Sequence, residues 1–491
     1  MTLTALRALF RPALLASIAL GTFALPSSVS SHGIMGHMHV TGWAIENLPP
    51  GELRDMLSEP EVMNAAIFGS AYTDSGYWPK GSVESQARAY GEHTHWEPFI
   101  EDFVTWIRVN DPPPWTSLES KKRFAFMLGC AAHGLQDEIF DSIFLDQVDY
   151  HDGGNQDIAD PATDGFLSVD GHLRFMPTEY YPKDTVLELY QTLNMGITEQ
   201  TVRYGLDAME TLYVNPRSGY AVAAGFARQH EAKLGWTRAH YFDADVPGSI
   251  RSEILPTMRY MIALWERVQG QNSADNPVLF QYPDDGRFLR SLDPADPASW
   301  VTIVTAAAAK ADFVMPDWKL DDGTPIAFTK RGTHWGGTDQ FARVMQLRPL
   351  EQLPAGRAST VTWNFNGPLI NGEVSTASVT LPVQTTCSEG SGACPIGCEA
   401  RTGITAPEEV GTALGRPASC VPPAEGSGRG AEGSGAEGSA AEEATVKKSD
   451  KGGCQTGGAA SGWSALWLAA ALLGLRSARS TRNRQDAAAK G

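Results

Sequence analysis

Apolar residues recur every three or four positions from residue 32 to about residue 270, which is the spacing of a buried face on successive helices. This pattern predicts an all-α domain over 32–270. Within it, the stretch 124–141, FAFMLGCAAHGLQDEIFD, predicts a buried helix. Proline and glycine clusters separate the helical patterns. Their approximate ranges are 41–57, 98–109, 119–149, 183–214, 218–233 and 250–268.

The pattern changes at about residue 272. Short runs of β-branched and aromatic residues, such as WVTIVTAA and STVTWNFNG, then alternate with Asp, Gly and Pro. Such runs are typical of strands in a β-sandwich. We therefore predict a small all-β immunoglobulin-like sandwich over 275–385. A spacer or adhesive role is favoured for this module over a catalytic one.

The two ends of the chain carry features of export and membrane attachment. Arg7 and Arg11 precede or open an apolar run, so residues 1–31 are predicted to be a secretory signal peptide. Residues 386–453 contain cysteines and a stretch of Gly, Ser, Ala and Glu, which predicts a disordered linker. Residues 454–491 contain an apolar run followed by arginines, which predicts a C-terminal apolar helix with a cytoplasmic end. The predicted architecture is therefore multidomain.

The cysteines fit an exported chain. Cys130 lies within the apolar helix and is predicted to be a core residue. Four others are predicted to form two disulfides of undetermined pairing, a zinc site being the less favoured alternative. These four are Cys387, Cys394, Cys398 and Cys420.

The formal net charge of −18 argues against nucleic acid or an anionic membrane surface as the main partner. No nucleic-acid partner is therefore expected. The chain is expected to be a monomer.

Candidate chemistry lies on the helix predicted at 124–141. His133, Asp137 and Asp141 follow one another at intervals of four residues, so they share a helix face. A neutral imidazole and a carboxylate at this spacing can bind one cation together. The alternatives are a solvated polar stripe or a histidine capped by an acid inside a core. Further candidate ligands of the same types are His37, Asp74, His95, Asp160 and Asp164.

Residues 90–146 contain several short motifs that are more specific than the spacing of His133 and Asp137 alone. They contain a THWEPF box, a PPPW turn and a helix with HGLQD, and HMHVTGWAIENL and AIFGSAYTDSGYW lie upstream. In these motifs the chain resembles the zinc-dependent phospholipase C/D family, and in particular the catalytic domain of glycosylphosphatidylinositol-specific phospholipase D. The resemblance covers about 32–170, or at its widest 32–270, and excludes the β-module and the tail. It implies a zinc phospholipase C-like helical domain that hydrolyses phospholipids.

The resemblance implies roles for five residues. His37, His95 and His133 match zinc ligands, and Asp137 matches a carboxylate that bridges two zinc ions. Asp74 matches a zinc ligand that is also a candidate general base, orienting the attacking water. Two or three zinc ions are expected, in a metal-assisted hydrolysis of a phosphodiester.

The third metal site departs from the family pattern of two histidines and an acid. Asp141, Asp160 and Asp164 occupy the nearest positions, and three carboxylates suit Ca²⁺ or Mg²⁺ better than zinc. The alternatives are an empty site, or a substitute ligand from His151 or His172. Asp160, which precedes a proline, could also serve only as a helix N-cap.

Neighbouring residues leave alternatives for some ligands. His39 could replace His37, His93 could replace His95, and His32 could act as a ligand if cleavage leaves it at the N-terminus. Aromatic residues near the motifs could bind a glycerol backbone or a choline head group by cation–π contact, although each is more often a core residue. They are Tyr72, Tyr77, Trp78 and Trp96.

The order of Cys454 in GGCQTGG, an apolar helix and an arginine cluster resembles the C-terminal sorting tails of myxobacterial surface proteins. This resemblance implies processing or lipidation near Cys454. The protein is therefore expected to be exported, and either anchored at the cell surface or outer membrane or secreted after C-terminal processing.

These features support a surface or exported metal-dependent phospholipase of the C or D type. A phosphodiesterase or nuclease of the same superfamily is an alternative. A non-catalytic surface adhesin with a residual metal site is an alternative of a different class.

Overall fold

The computed structural model describes the central part of the chain. The residues described are 33–78, 81–192, 195–210, 216–271, 278–282, 297–333, 342–351, 358–370 and 372–384. The predicted signal peptide, cysteine-containing linker and C-terminal apolar helix lie outside these residues, as do the predicted disulfides. Cys130 is the cysteine within them, and it is a buried free thiol.

The described N-terminal part is helical, as the spacing of apolar residues predicted. Its α-helices are α1 (Ile34–Glu46), α2 (Glu52–Leu57), α3 (Pro60–Tyr72), α4 (Glu84–Thr94), α5 (Glu97–Asn110), α6 (Leu118–Ile139), α7 (Leu145–Asp152), α8 (Gln156–Val169), α9 (Lys183–Thr192), α10 (Glu199–Met209), α11 (Pro216–His230), α12 (Gly235–His240) and α13 (Ile254–Val268). Short 3₁₀ segments occupy Thr73–Tyr77 and Gly81–Val83.

Helix α6 is the central element of the helical part. It begins where the Ser117 hydroxyl accepts a hydrogen bond from the Ser120 N–H, a typical N-cap. From Phe124 to its end every residue of α6 is buried. Glycine lets α3 approach it closely, since a Cβ at Gly129 would lie 2.0 Å from the Ala66 carbonyl oxygen. Helices α3 and α6 therefore pack backbone against backbone.

The helical pattern predicted through residue 149 is interrupted after α6. Phe140–Phe144 form a π-helical turn before α7 begins. A π-turn adds a residue to the helical repeat and rotates everything that follows. Asp141 is the second residue of this turn, so the α-helix that carries His133 and Asp137 ends before it.

The β-rich part contains two main antiparallel sheets. One has the strand order β1-β2-β5-β4 and the other the order β3-β6-β9, and a short β7-β8 pair accompanies them. The strands are β1 (Val278–Tyr282), β2 (Val301–Ala309), β3 (Val314–Leu320), β4 (Phe328–Thr333), β5 (Ala342–Pro349), β6 (Ala358–Phe365), β7 (Gly367–Pro368), β8 (Val374–Ser375) and β9 (Ser378–Gln384).

The predicted fold class is wrong in how it separates the two parts. We expected an all-α domain followed by an independent small immunoglobulin-like sandwich. Instead the helical part continues into a β-rich region that packs on it, with β1 and β2 against α13 and β5 against α6. Both described parts fall in one compact unit. The predicted domain boundaries stay predictions.

The reason for this correction lies in the burial of the first sheet. Every residue of β2 is buried, so neither face of that strand meets solvent. Phe280, Val304 and Val344 from this sheet belong to the same hydrophobic core as the helices. A second core, around Trp318 and Trp363, belongs to the β-rich region. The helices thus cover one face of the sheet, as a helix layer covers a sheet in mixed folds.

Of the helices within the described residues, none combines the length and the apolar character needed to cross a bilayer.

Candidate metal centre

Five of the predicted ligands converge inside the helical part. His37 lies on α1, Asp74 in the 3₁₀ turn after α3, His95 directly after α4, and His133 and Asp137 on α6. All five are buried. Their ligand atoms form two overlapping groups that could hold a metal ion, each with its atoms within 4.8 Å of one another: His37, Asp74 and His133, and His95, His133 and Asp137.

The outer nitrogen of each imidazole is held by an oxygen acceptor. His37 Nδ1 donates to Gln136 Oε1 at 2.8 Å, and His95 Nδ1 donates to the Gly91 carbonyl at 2.6 Å. His133 Nδ1 donates to the Ser70 carbonyl at 2.5 Å. A carbonyl oxygen can only accept, so each Nδ1 carries the proton. All three rings are thereby oriented with Nε2 toward the cluster, as in histidines that bind metals.

The inner nitrogens face carboxylate oxygens. His37 Nε2 lies 3.0 Å from Asp137 Oδ1, and His95 Nε2 lies 3.5 Å from Asp137 Oδ2. His133 Nε2 lies 3.3 Å from Asp137 Oδ2. Asp74 Oδ1 is 3.3 Å from His95 Nε2 and 3.8 Å from His133 Nε2. In the neutral tautomer, lone pairs on nitrogen would face lone pairs on oxygen, so the cluster requires cations, either protons or metal ions.

The pKa shifts of His95, His37 and Asp137 favour the charged forms of these groups, which agrees with the same requirement. Burial opposes the charging of His95, but Asp74 and Asp137 outweigh it and raise the pKa of His95 to about 9. Burial likewise opposes the charging of His37, yet Asp137 raises its pKa. Burial and the neighbouring His37 lower the pKa of His133. The pKa of Asp137 is well below its ordinary value, because His133 and His37 outweigh burial.

Gly134 allows helix α6 to approach the backbone of His95 closely. A Cβ at Gly134 would lie 1.9 Å from the His95 carbonyl oxygen, so the helix touches the His95 backbone at this point. The stacked rings of His37 and His133 have centroids 3.7 Å apart. The small residue after His133 in the HGLQD motif thus allows α1, α6 and the turn after α4 to meet.

The three predicted ligands of the third site lie outside both groups. Asp141 is half-buried, and Gln156 Nε2 donates to its carboxylate at 3.5 Å. Asp160 is buried, and among the described residues its Oδ1 has no hydrogen-bond partner. Burial and the neighbouring carboxylates raise the pKa of both acids well above the ordinary value. Asp160 is part of α8 and does not precede it, so it is not the N-cap of that helix.

The Asp164 carboxylate is hydrogen-bonded to the first turn of α1. Its carboxylate accepts hydrogen bonds from the Met35 N–H at 3.1 Å and the Gly36 N–H at 2.8 Å. Burial raises the pKa of Asp164 to about 7, although these two N–H groups oppose the shift. A carboxylate at a helix N-terminus stabilises that end of the helix. Asp164 therefore helps to position the helix that carries His37.

The alternative histidines have other partners. His39 Nδ1 donates to the Met35 carbonyl at 2.7 Å, and its Nε2 accepts from the N–H groups of Arg174 and Phe175 at 2.5 and 3.1 Å. Burial lowers the pKa of His39 to about 4, so it is neutral. His39 is therefore a structural residue that holds the segment after α8 against α1.

The remaining histidines also lie outside the two ligand groups. His93 contacts the edge of the Phe99 ring, with centroids 5.7 Å apart. His151 and His172 stack on Trp236 and Phe242 respectively. His32 is outside the described residues.

The aromatic residues near the motifs divide into core and site-edge positions. Tyr72 is buried, and its hydroxyl shares a hydrogen bond with that of Tyr190, so it belongs to the core. Tyr77 and Trp96 both donate to the Glu92 carboxylate, and their rings lie 5.2 and 5.8 Å from the His95 ring. These two rings form an edge of the cluster at His95.

Sequence reasoning missed several residues around the cluster. Gln136 fixes the His37 ring, and its position inside HGLQD was a signal for it. Glu253, just before α13, is buried, and burial together with Asp137 and Asp141 raises its pKa well above the ordinary value. Two more buried acids, Glu97 and Glu138, pair with Arg343 of β5. No local pattern marks these long-range partners.

Fold and site together define a class: a protein with a helical part and a β-rich region, whose helices bury a histidine–aspartate cluster that could hold a metal ion. Part of the chain is similar to phosphatidylinositol-glycan-specific phospholipases D. Identity is 26% over 181 residues with the Bos taurus protein, covering 34% of this chain and 21% of that protein. It is 25% over 192 residues with the Homo sapiens protein, covering 36% and 22%. It is 24% over 180 residues with the Rattus norvegicus protein, covering 34% and 21%.

The match therefore spans about a fifth of the length of these curated relatives. No protein-family model matches the chain. Among solved structures, the N-terminal part of the bacterial S-layer protein SbsC aligns over 66% of this chain and 79% of that chain, at 12% identity and a TM-score of 0.17. That score is too low to carry a conclusion about the fold.

Proposed function

We propose that the protein is a metal-dependent phosphodiester hydrolase that acts on phospholipids by C- or D-type cleavage. The observation that carries the proposal is the convergence of three Nε2 atoms on two carboxylates, with each Nδ1 held from outside. The similarity to phosphatidylinositol-glycan-specific phospholipases D supports the substrate class.

The residues present fit a dinuclear zinc site. Neutral imidazoles and carboxylates are ligands that zinc prefers. His133 belongs to both groups, and Asp137 lies 3.0 Å from His37 Nε2 through Oδ1 and 3.3 Å from His133 Nε2 through Oδ2, so its two oxygens could serve separate ions. Bound zinc would lower the pKa of a water molecule and neutralise negative charge on phosphate oxygens. Asp74, at one side of the cluster, would orient that water and accept its proton at a carboxylate oxygen. Gln136, Gly91 and Ser70 would keep the imidazoles in the required tautomer.

We extend the proposal to a third cation near Asp141, Asp160 and Asp164. Three carboxylates suit Ca²⁺ or Mg²⁺ better than zinc. The partnerless Oδ1 of Asp160 supports this extension, because a buried carboxylate oxygen without a hydrogen bond is costly. Asp164 would have to serve the cation and the N-terminus of α1 together.

We also propose that the protein is exported and acts as a monomer on lipid outside the cytoplasm. It would be anchored through its C-terminal segment or released after processing there. The charge pattern of residues 1–31 and 454–491 supports this part of the proposal.

Metal analysis of the full chain tests the centre directly. The protein would be purified without refolding, and its zinc content measured by mass spectrometry beside His133→Ala and His151→Ala. We expect two or more metal ions per chain in the wild type and in His151→Ala, whose histidine stacks on Trp236 away from the cluster. His133→Ala should lose them. One metal ion or none in the wild type after zinc supplementation would rule out the mechanism.

Turnover then separates the possible functions. The zinc-loaded protein is expected to release a head group or phosphorylated head group from phospholipid vesicles, and Asp74→Asn should abolish release while the fold is kept. Cleavage of single-stranded nucleic acid without lipid turnover would favour the nuclease alternative. Tight metal binding without turnover of either substrate would favour the adhesin alternative.

A further inference from the structure

Arg343 extends from β5 of the β-rich region into the interior of the helical part. It is buried, and its guanidinium group forms ion pairs with two buried carboxylates. Nη2 pairs with Glu97 of α5, and Nε lies 2.9 Å from Oε2 of Glu138 on α6. The guanidinium group therefore lies between two helices that belong to the other part of the molecule.

Further contacts with β2 and α13 fix the orientation of this guanidinium group. Nη1 donates to the Ala306 carbonyl of β2 at 3.2 Å. The plane of the group lies over the Tyr260 ring, with Cζ 4.6 Å from the ring centroid, and the Tyr260 hydroxyl donates to Glu97 Oε2 at 3.1 Å. Neighbouring groups from β2 and α13 thus hold Arg343 in one position.

The two carboxylates are immediate chain neighbours of metal-ligand candidates. Glu97 follows His95 by two residues, at the first position of α5. Glu138 follows Asp137 directly on α6. His95 and Asp137 come from different helical segments, and their side chains approach to 3.5 Å in the cluster. Arg343 therefore joins the two segments that carry His95 and Asp137, and the spacing of these segments sets the distance between the two side chains.

We propose that Arg343 is a positioning residue of the metal centre, and that the β-rich region is a structural part of that centre. Without the guanidinium group, Glu138 would lose a cation 2.9 Å away, and Glu97 would keep Arg267, whose Nη1 lies 3.9 Å from its Oε1. The two carboxylates would shift or admit water, and His95 would move relative to Asp137. The inference rests on the proposed metal centre but not on its substrate.

An arginine is required at this position because of its geometry. Its planar fork can hold two carboxylates at once, whereas a lysine ammonium group is a point charge on a flexible stem. Arg343→Lys should therefore keep the charge and lose the bridge. This variant separates the positioning role from the mere need for a buried cation.

Arg331 offers a matched control. It lies on β4 of the same sheet, pairs across the same junction with Asp146 of α7, and stacks on Trp300. Its partner is not adjacent to the His37, Asp74, His95, His133 and Asp137 cluster. Arg331→Met therefore removes an ion pair across the same junction, partly exposed where the Arg343 pairs are buried, without touching the segments that carry His95 and Asp137.

The test uses the full chain and cobalt as the probe. Co²⁺ affinity and the d–d absorption spectrum of the Co²⁺-loaded protein would be measured for the wild type, Arg343→Met, Arg343→Lys and Arg331→Met. Loss of a residue that orients ligands typically weakens metal binding about 10- to 100-fold, and we expect this for Arg343→Met, with an altered spectrum. The Co²⁺ affinity of Arg343→Lys should lie between those of the wild type and Arg343→Met. Arg331→Met should match the wild type in affinity and spectrum. A folded Arg343→Met with wild-type affinity and spectrum would overturn the inference.

A measurement on the wild type covers the case in which Arg343→Met does not fold. If Arg343 couples the centre to the β-rich region, metal binding must in turn stabilise that junction. Hydrogen exchange should slow in β5 and β2 on Zn²⁺ addition, and remain unchanged in β6 and β9. Zinc binding with no change in β5 would refute the coupling. Failure of the wild type to bind any metal would instead count against the proposed function.

Discussion

His37 and His39 lie two residues apart on α1, yet their surroundings give them opposite chemistry. The ring of His37 faces Asp137, which raises its pKa. The ring of His39 accepts two backbone N–H groups, and burial lowers its pKa to about 4. A helix turns by about 100° per residue, so two positions apart means nearly opposite faces. The apolar pattern predicted a helix at about 41–57, after both histidines, whereas α1 begins at Ile34, so the pattern could not show which histidine meets the cluster.

The raised pKa of His95 predicts how metal affinity depends on pH. Without metal, the proton on His95 is held up to about pH 9, so a metal ion must displace it. Apparent zinc affinity should therefore rise between pH 6.5 and 9, by roughly tenfold per pH unit for each proton released. Competition titrations with a chelator of known affinity would measure this slope. An affinity independent of pH in this range would contradict the assignment of His95.

The contribution of His95 to the free energy of unfolding of the metal-free protein should fall over the same pH range in which zinc affinity rises. The folded pKa of His95, about 9, exceeds the ordinary value of 6.5. Its contribution to the free energy of unfolding is therefore complete below pH 6.5 and is lost as pH rises through about 9. Urea unfolding of the metal-free protein at pH 6.5 and pH 9 provides the comparison.

The five ligand candidates were proposed from the sequence through the motifs that resemble the zinc-dependent phospholipase family, and their side chains lie together in the structure. Gln136 lay in the same motif but was not assigned, since its role depends on the approach of α1. Glu97, Glu138 and Arg343 carry no local signal, because the three residues meet only through packing of elements far apart in sequence.

Among the elements, α6 depends on glycine for its distance from its neighbours. A methyl group at Gly134 would overlap the His95 carbonyl oxygen, and one at Gly129 would overlap that of Ala66. Backbone atoms cannot move aside as the end of a flexible side chain can. The apolar periodicity predicted α6 as a buried helix but gave no measure of these contacts.

The substitution Gly134→Ala tests this dependence. It should displace the His95 backbone, weaken zinc binding about tenfold and destabilise the fold by about 1–3 kcal/mol, the usual cost of overpacking. Gly225→Ala on α11 is the control, because an added Cβ there meets no atom within 4 Å. That variant should be as stable as the wild type or more stable by about 0.5–1 kcal/mol. Equal zinc affinity in Gly134→Ala and the wild type would show that the contact does not set the centre.

The π-helical turn at Phe140–Phe144 shows another limit of pattern reasoning. The spacing of His133, Asp137 and Asp141 predicted three acidic or imidazole side chains on one face. Asp141 lies within this inserted turn, and neither ligand group includes it. A helix-period pattern cannot reveal one extra residue in a turn, because the apolar positions on either side still fit.

For the molecule as a whole, the relation between the helical and β-rich parts was the main error of prediction. Strand propensity located some strands well, since β2 and β6 overlap the predicted runs WVTIVTAA and STVTWNFNG. The run VTIVTAAAA lacks the alternation of a strand with one solvated face, which is a signal of burial on both faces. What covers the second face depends on tertiary packing, and here α13 packs on β2 while α6 packs on the neighbouring β5.

This shared core predicts that the two parts unfold together. Phe280, Val304 and Val344 would be exposed to water if the helices unfolded first, so neither part should persist alone. Calorimetry of the full chain is expected to show one cooperative transition that includes both parts. Zinc at about 100 times its dissociation constant should stabilise the fold by about 2.7 kcal/mol and shift that whole transition upward. Two separate transitions, of which zinc shifts only one, would show instead that the β-rich region is an independent module whose contact with the helices contributes little to stability.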